Sequence, residues 1–175
     1  MNFPILSAIT FIPLLGALLV LLIPKEDEQT IKRLSIGISV IPLVLSIILW
    51  LSYRTTPGGM QFEELASWIP AIDVYYHVGV DGLSVPLVFL TTFLTTLSLY
   101  YSSHTITHRV KEFFFLFLLL ETGMLGVFVS LDFILFYVFW EFSLIPMYLI
   151  IGVWGSPARR IYSACLLYTS PSPRD

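Results

Sequence analysis

Glu141 is the only Asp, Glu, Lys, Arg or His in an apolar stretch, 133–153, long enough to cross a bilayer. A charged side chain at the centre of a membrane helix costs about 2.5–3.5 kcal/mol on insertion scales. Such a group is retained where it faces a partner helix or a water-filled path, or where it takes up and releases protons. Intramembrane carboxylates are therefore proton-relay or ion-site candidates, with a polar helix-packing contact as the alternative. Tyr137 and Tyr148 stand four residues before and seven after Glu141, on one helical face, where their hydroxyls can relay hydrogen bonds or hold water. Packing is an equal alternative for both. Pro146 has no amide hydrogen, so the Phe142 carbonyl loses its helical donor one residue from Glu141.

A second carboxylate, Glu121, lies in the preceding apolar stretch. The connection between the two stretches is short, Ser130, Leu131 and Asp132, which predicts a tight antiparallel helix pair. Glu121 and Glu141 are each ten residues from Leu131. At ~1.5 Å per residue both are expected about 15 Å from one surface, near mid-bilayer. Thr122, Gly123, Gly126 and Ser130 are small enough to let the fourth helix approach its neighbours closely. Asp132 is placed to cap the fifth helix. The hydroxyls of Thr91, Thr92, Thr95, Thr96 and Ser98 are expected to bond between helices.

The chain has 175 residues, 57% hydrophobic and 12% charged. Soluble domains carry about 25% charged residues, so the shortage reads as membrane immersion. Net charge is −3 and no basic, aromatic-studded patch points to nucleic acid. The single cysteine, Cys165, leaves no internal disulfide framework and no cysteine-based metal cluster. His77, His104 and His108 do not have a zinc spacing. No glycine-rich phosphate loop appears, so neither a cofactor nor a metal is expected in this chain.

Five apolar runs, at about 3–24, 34–51, 83–101, 113–130 and 133–153, each approach the ~20 residues that a hydrocarbon core of ~30 Å requires. The sequence thus predicts an all-α, polytopic membrane bundle. Lysine and arginine orient it: Lys25, Lys32 and Arg33 follow the first run, Arg109 and Lys111 the third, Arg159 and Arg160 the fifth. The connections on the other side have Arg54 alone. The positive-inside rule then sets the N-terminus outside and the basic connections in the cytoplasm. Lys25 follows the first run rather than preceding it, which predicts a permanent span and not a cleaved signal. The aromatic 52–82 connection is expected to fold back over the outer face, partly as short strand.

Four stretches in order carry a family resemblance: Val80-Asp-Gly-Leu-Ser84, Leu118-Leu-Leu-Glu-Thr-Gly-Met-Leu-Gly-Val-Phe128, Phe136-Tyr-Val-Phe-Trp-Glu141-Phe-Ser-Leu-Ile-Pro-Met-Tyr148 and Gly152-Val-Trp-Gly155. They resemble the antiporter-like subunit M, or chain 4, of proton-pumping NADH:quinone oxidoreductase, respiratory complex I. Chain 4 of the plastoquinone-reducing complex and Mrp-type antiporter subunits share much of the pattern. The resemblance covers 1–164 and implies a fourteen-helix subunit, of which five helices are present here. It implies that Glu141 is an essential member of the proton path, working with a lysine on a later helix. It also implies a bacterial plasma membrane, thylakoid or mitochondrial setting. Other membrane subunits of the complex are the expected partners, and NADH, FMN, iron–sulfur clusters and quinone are expected in other subunits. Residues 165–175, polar and proline-broken, depart from the family and are expected to be a truncated or foreign tail. A cation/proton antiporter, a hydrogenase-linked membrane subunit and a structural anchor stay open as alternatives.

Overall fold

A computed structural model of the chain describes residues 4–54, 59–156 and 158–169. It contains helices α1 (Ile5–Leu22) and α2 (Glu28–Ser52), strands β1 (Gln61–Ile69) and β2 (Val74–Val80), then α3 (Ser84–Thr105), α4 (Val110–Val129), α5 (Phe133–Trp154) and α6 (Arg160–Thr169). The first five helices are all long and apolar enough to cross a membrane. They coincide with the five expected runs, and the protein is a multi-pass membrane bundle.

Local chemistry sets where each helix starts. Asp27 accepts the Thr30 amide at 3.2 Å, which begins α2 six residues before the apolar run does. Hydrogen bonding from Thr30 holds the Asp27 carboxyl below its usual range. Asp81 accepts the amides of Ser84 at 2.7 Å and Leu83 at 3.0 Å, starting α3, and the Ser84 bond leads in lowering its pKa. Asp132 accepts from Ile134 at 2.8 Å and Leu135 at 3.1 Å and caps α5, as the sequence predicts. At the opposite end of α1, the Lys111 ammonium donates to the carbonyls of Leu21 and Ile23 at 2.8 and 2.7 Å. A cation there suits the negative end of the helix dipole.

The 52–82 connection carries the one sheet among the described residues. β1 and β2 pair antiparallel, Glu64 opposite Val78 and Ala66 opposite Tyr76, with bulges between Gln61 and Glu64 and between Ser67 and Ile69. Phe62 takes a positive φ of 55° within the first bulge, a backbone state that bulges accommodate. β2 buries Val74, Val78 and Val80 against the bundle. The Leu131 amide donates to the His77 carbonyl at 2.9 Å, which ties the hairpin to the α4–α5 turn. Glu64 ties it to α1: its carboxylate accepts the Leu6 amide at 2.9 Å, the Ser7 amide and the Ser7 hydroxyl. The Ser7 and Tyr76 hydroxyls are 2.8 Å apart, and burial leads in raising the Tyr76 pKa.

Two apolar clusters fill the bundle. One lies on the hairpin side and includes Leu6, Ile9, Leu49, Val88, Leu125 and Val129. The other lies toward the basic connections and includes Ala17, Val20, Ile31, Leu99, Phe114 and Leu118. Every fully buried polar side chain of the described residues falls at intermediate positions along the helices: Thr10, Ser35, Ser39, Ser46, Thr92, Thr95, Glu121 and Thr122. Most hydroxyls bond back to their own helix, and two bridge helices: Ser46 and Thr92 at 2.9 Å, and Thr96 to the Ser39 carbonyl at 3.1 Å. The threonine-rich third run thus does both, and the interhelical bonding expected of it is present.

Candidate proton-path carboxylates

Helices α4 and α5 meet through glycine. A methyl group on Gly123 would stand 2.8 Å from the Ser143 Cβ, and one on Gly126 would collide with the Phe139 ring. These contacts fix the register of the pair. Gly123 beside Ser143 and Gly126 beside Phe139 put Glu121 level with Ile145 on α5. Glu141 therefore lies about one helical turn nearer the connecting turn than Glu121. Equal residue counts from Leu131 do not give equal depth, because the two helices are offset along their axes.

The two carboxylates also occupy different surroundings. Glu121 is 0% exposed, and neither of its carboxyl oxygens has a hydrogen-bond partner among the described residues. Glu141 is exposed, on the open face of α5. That helix buries only Leu135, Phe139 and Pro146, while Ile134, Tyr137, Val138, Trp140, Ile145 and Met147 stay accessible. The structure does not bring Glu121 and Glu141 together; α4 keeps its acid inside the bundle and α5 turns its acid outward.

Tyr137 lies one turn from Glu141 and its hydroxyl interacts with that carboxyl group. Tyr148 is half-buried two turns further on. Pro146 is buried and inside the helix, as its sequence position predicts. Ser143, next to the freed Phe142 carbonyl, bonds back to the Trp140 carbonyl at 2.7 Å. The histidines lie apart from both acids. His77 faces Glu63 at 2.9 Å, His104 ends α3, and the His108 carbonyl accepts the Trp154 indole at 3.1 Å. Thr10, buried with its hydroxyl unpartnered, is a residue that sequence reasoning missed. Its signal is a lone threonine on the buried stripe of an otherwise apolar helix.

The family model described as NADH:quinone oxidoreductase/Mrp antiporter, TM, matches residues 130–171. NADH-ubiquinone oxidoreductase chain 4 of Marchantia polymorpha is 38% identical over 94% of this chain and 34% of its own length. An NAD(P)H-quinone oxidoreductase chain 4 of Microcystis aeruginosa is 40% identical over 97% of this chain and 32% of its own. The chain is thus similar, over nearly all of its own length, to chain 4 of NADH:quinone oxidoreductases. It spans about a third of the length of the curated relatives it matches. Among solved structures, a chain of respiratory complex I from Thermus thermophilus with bound NADH superposes with a TM-score of 0.73 at 30% identity. That match covers 94% of this chain and 31% of the other. The membrane-bound sulfane sulfur reductase, an archaeal respiratory membrane complex, shares the fold with a TM-score of 0.78 at 15% identity, over 95% and 34% of the two chains. The matched family segment holds all of α5, with Tyr137, Glu141 and Tyr148, but not Glu121. It also runs past Ala164, and α6 crosses residues 164–165 without a break.

Proposed function

We propose that this chain is part of a proton-translocating membrane subunit of a NADH:quinone oxidoreductase, with Glu141 as a proton-relay carboxylate. The observation that carries the reading is Glu141 itself: an acid on the open face of a membrane-spanning helix, inside the stretch that matches the family. An accessible carboxylate at that depth is stabilised only by further protein or water. Later helices of a longer subunit, with the lysine that the family resemblance implies, supply that cover. Tyr137 orients the carboxyl group; Tyr148 supports the same face from about half a turn beyond Pro146. Glu121 serves as a second proton-path carboxylate, reached separately from Glu141.

The chain acts in an enzyme without holding its redox site. NADH, FMN, iron–sulfur clusters and quinone belong to other subunits of the complex, and the partners of this chain are membrane subunits and lipid, not nucleic acid. The N-terminus lies outside and the side bearing Lys25, Arg109, Lys111 and Arg160 faces the cytoplasm of a bacterium, following the basic connections. Residues 1–164 form the N-terminal part of the antiporter-like domain. A cation/proton antiporter is the second reading, favoured by the family description that covers both activities.

The test is Glu141→Gln in the complete subunit, assembled in its complex. Gln keeps the shape and hydrogen-bonding capacity but cannot exchange a proton. Proton pumping in vesicles is expected to be lost with subunit content unchanged, and Glu141→Asp is expected to retain part of it. Full pumping by an assembled Glu141→Gln complex would return Glu141 to a packing role. NADH-driven pumping separates the complex from an antiporter, which exchanges cations without NADH.

A further inference from the structure

Three buried oxygens on the packed helices α1 and α4 have no hydrogen-bond partner among the described residues: Oε1 and Oε2 of Glu121 and Oγ1 of Thr10. The two helices run antiparallel along their full length. Leu6 and Ile9 share a cluster with Leu125 and Val129, Ala17 and Val20 share the other with Phe114 and Leu118, and Lys111 reaches the end of α1. In that register Glu121 is level with Pro13. Thr10 is the next residue up the same buried stripe, about one turn away. Pro13 has no amide hydrogen, so the Ile9 carbonyl beside Thr10 loses its helical donor. A carboxyl group, a hydroxyl and a freed carbonyl therefore lie within about one turn of each other along the two helices, between two apolar clusters.

We propose that the α1–α4 seam is a water-binding site, in which internal water bridges Glu121, Thr10 and the Ile9 carbonyl. Buried polar groups are almost always hydrogen-bonded, and a buried water takes two to four polar partners. Glu121 and Thr10 are 0% and 1% exposed, so no further part of a longer subunit reaches them without parting these helices. Water is small enough to do so. The inference deepens the reading of Glu121 as a proton-path carboxylate: bridging water gives a sealed carboxyl group a neighbour that can deliver and accept its proton. It also separates the Glu121 branch, fed through α1, from Glu141 on the open face of α5.

The experiment uses the complete subunit assembled in its complex. Electron cryo-microscopy that shows ordered water is expected to find density within hydrogen-bond distance of both Glu121 and Thr10. Infrared difference spectroscopy in H2O and D2O gives the second measurement, with Glu121→Gln assigning the Glu121 carboxyl band by its loss. In Thr10→Val, which keeps the shape and removes the hydroxyl, that band is expected to move and its deuterium exchange to slow several-fold. A dry seam, with the Glu121 carboxyl bonded directly to the Ile9 carbonyl and a band indifferent to Thr10→Val, overturns the proposal. Unchanged pumping in Glu121→Gln with the water present would sink only the proton-path reading of Glu121. Lost pumping with a dry seam would sink only the water site.

Discussion

The same substitution, glycine to alanine, should have opposite effects at Gly123 and Gly37. At Gly123 the new methyl group would lie 2.8 Å from the Ser143 Cβ, 3.0 Å from its Cα and 3.1 Å from its nitrogen. Carbon atoms pack comfortably at about 3.5–4.0 Å, so the nearest contact is at least ~0.7 Å too short. Two of the three atoms are backbone and cannot rotate away, so α4 and α5 must separate. Overpacking of this kind costs about 1–3 kcal/mol, and the upper half of that range applies here. Alanine's helix preference returns about 1 kcal/mol, which leaves a net loss of roughly 1–2 kcal/mol. At Gly37 nothing stands within 4 Å of the added carbon, so only the helix preference remains, a gain of about 0.5–1 kcal/mol. Thermal unfolding of the complete subunit in detergent, followed by circular dichroism and by size-exclusion recovery, reads both. Adding Ser143→Gly to Gly123→Ala should rescue in part, because the Cα and nitrogen contacts stay. Equal stability of the Gly123→Ala and Gly37→Ala proteins would refute the close approach of α4 and α5.

Glu64→Ala should release the hairpin from α1 and raise deuterium uptake across 61–80, with Glu64→Gln milder because it keeps one acceptor oxygen; identical uptake in all three proteins would show that the clamp is idle. Asp132 should make α5 stability pH-dependent. The Leu135 and Ile134 amides hold its carboxyl below the ordinary value of 3.8, so its contribution is full above that value and is lost as pH falls through the lowered one. An Asp132→Asn protein should be flat in that acid window, and a matching pH profile would remove the cap from the account. Single cysteines at Thr105 and Met60, with Cys165→Ser, should label from opposite sides of the membrane with an impermeant thiol reagent.

Hydropathy located five spans because lipid immersion is a property of a run of side chains, and α1, α3, α4 and α5 end within a few residues of their runs. It misplaced the start of α2, because the polar first turn after Asp27 is helical without being apolar. The hairpin was legible as an aromatic connection that folds back partly as strand, but its pairing and its ties to the helices were not. Its strands carry Glu63 and Glu64 side by side, and no local pattern says that one of them ends up on the N-terminus of α1. The two membrane acids were legible as residues, but their relation was not. Neither relative depth nor facing follows from counting residues: the contacts at Gly123 and Gly126 set the first, and packing that buries Glu121 and leaves Glu141 exposed sets the second.

The Glu64 carboxylate that caps α1 arrives late. It lies 57 and 58 residues down the chain from the amides it serves, and the turn that holds the hairpin's other edge comes as far again after that. A nascent chain therefore inserts its first helix with bare amides at the start, and these find their acceptor only once the second helix has crossed. The hairpin in turn has no floor until Leu131 has been made. Assembly of this bundle is thus ordered from both ends, with the first helix completed by the second connection and the second connection completed by the fourth helix. A ribosome stalled soon after residue 80 would leave the strap complete in sequence but still loose.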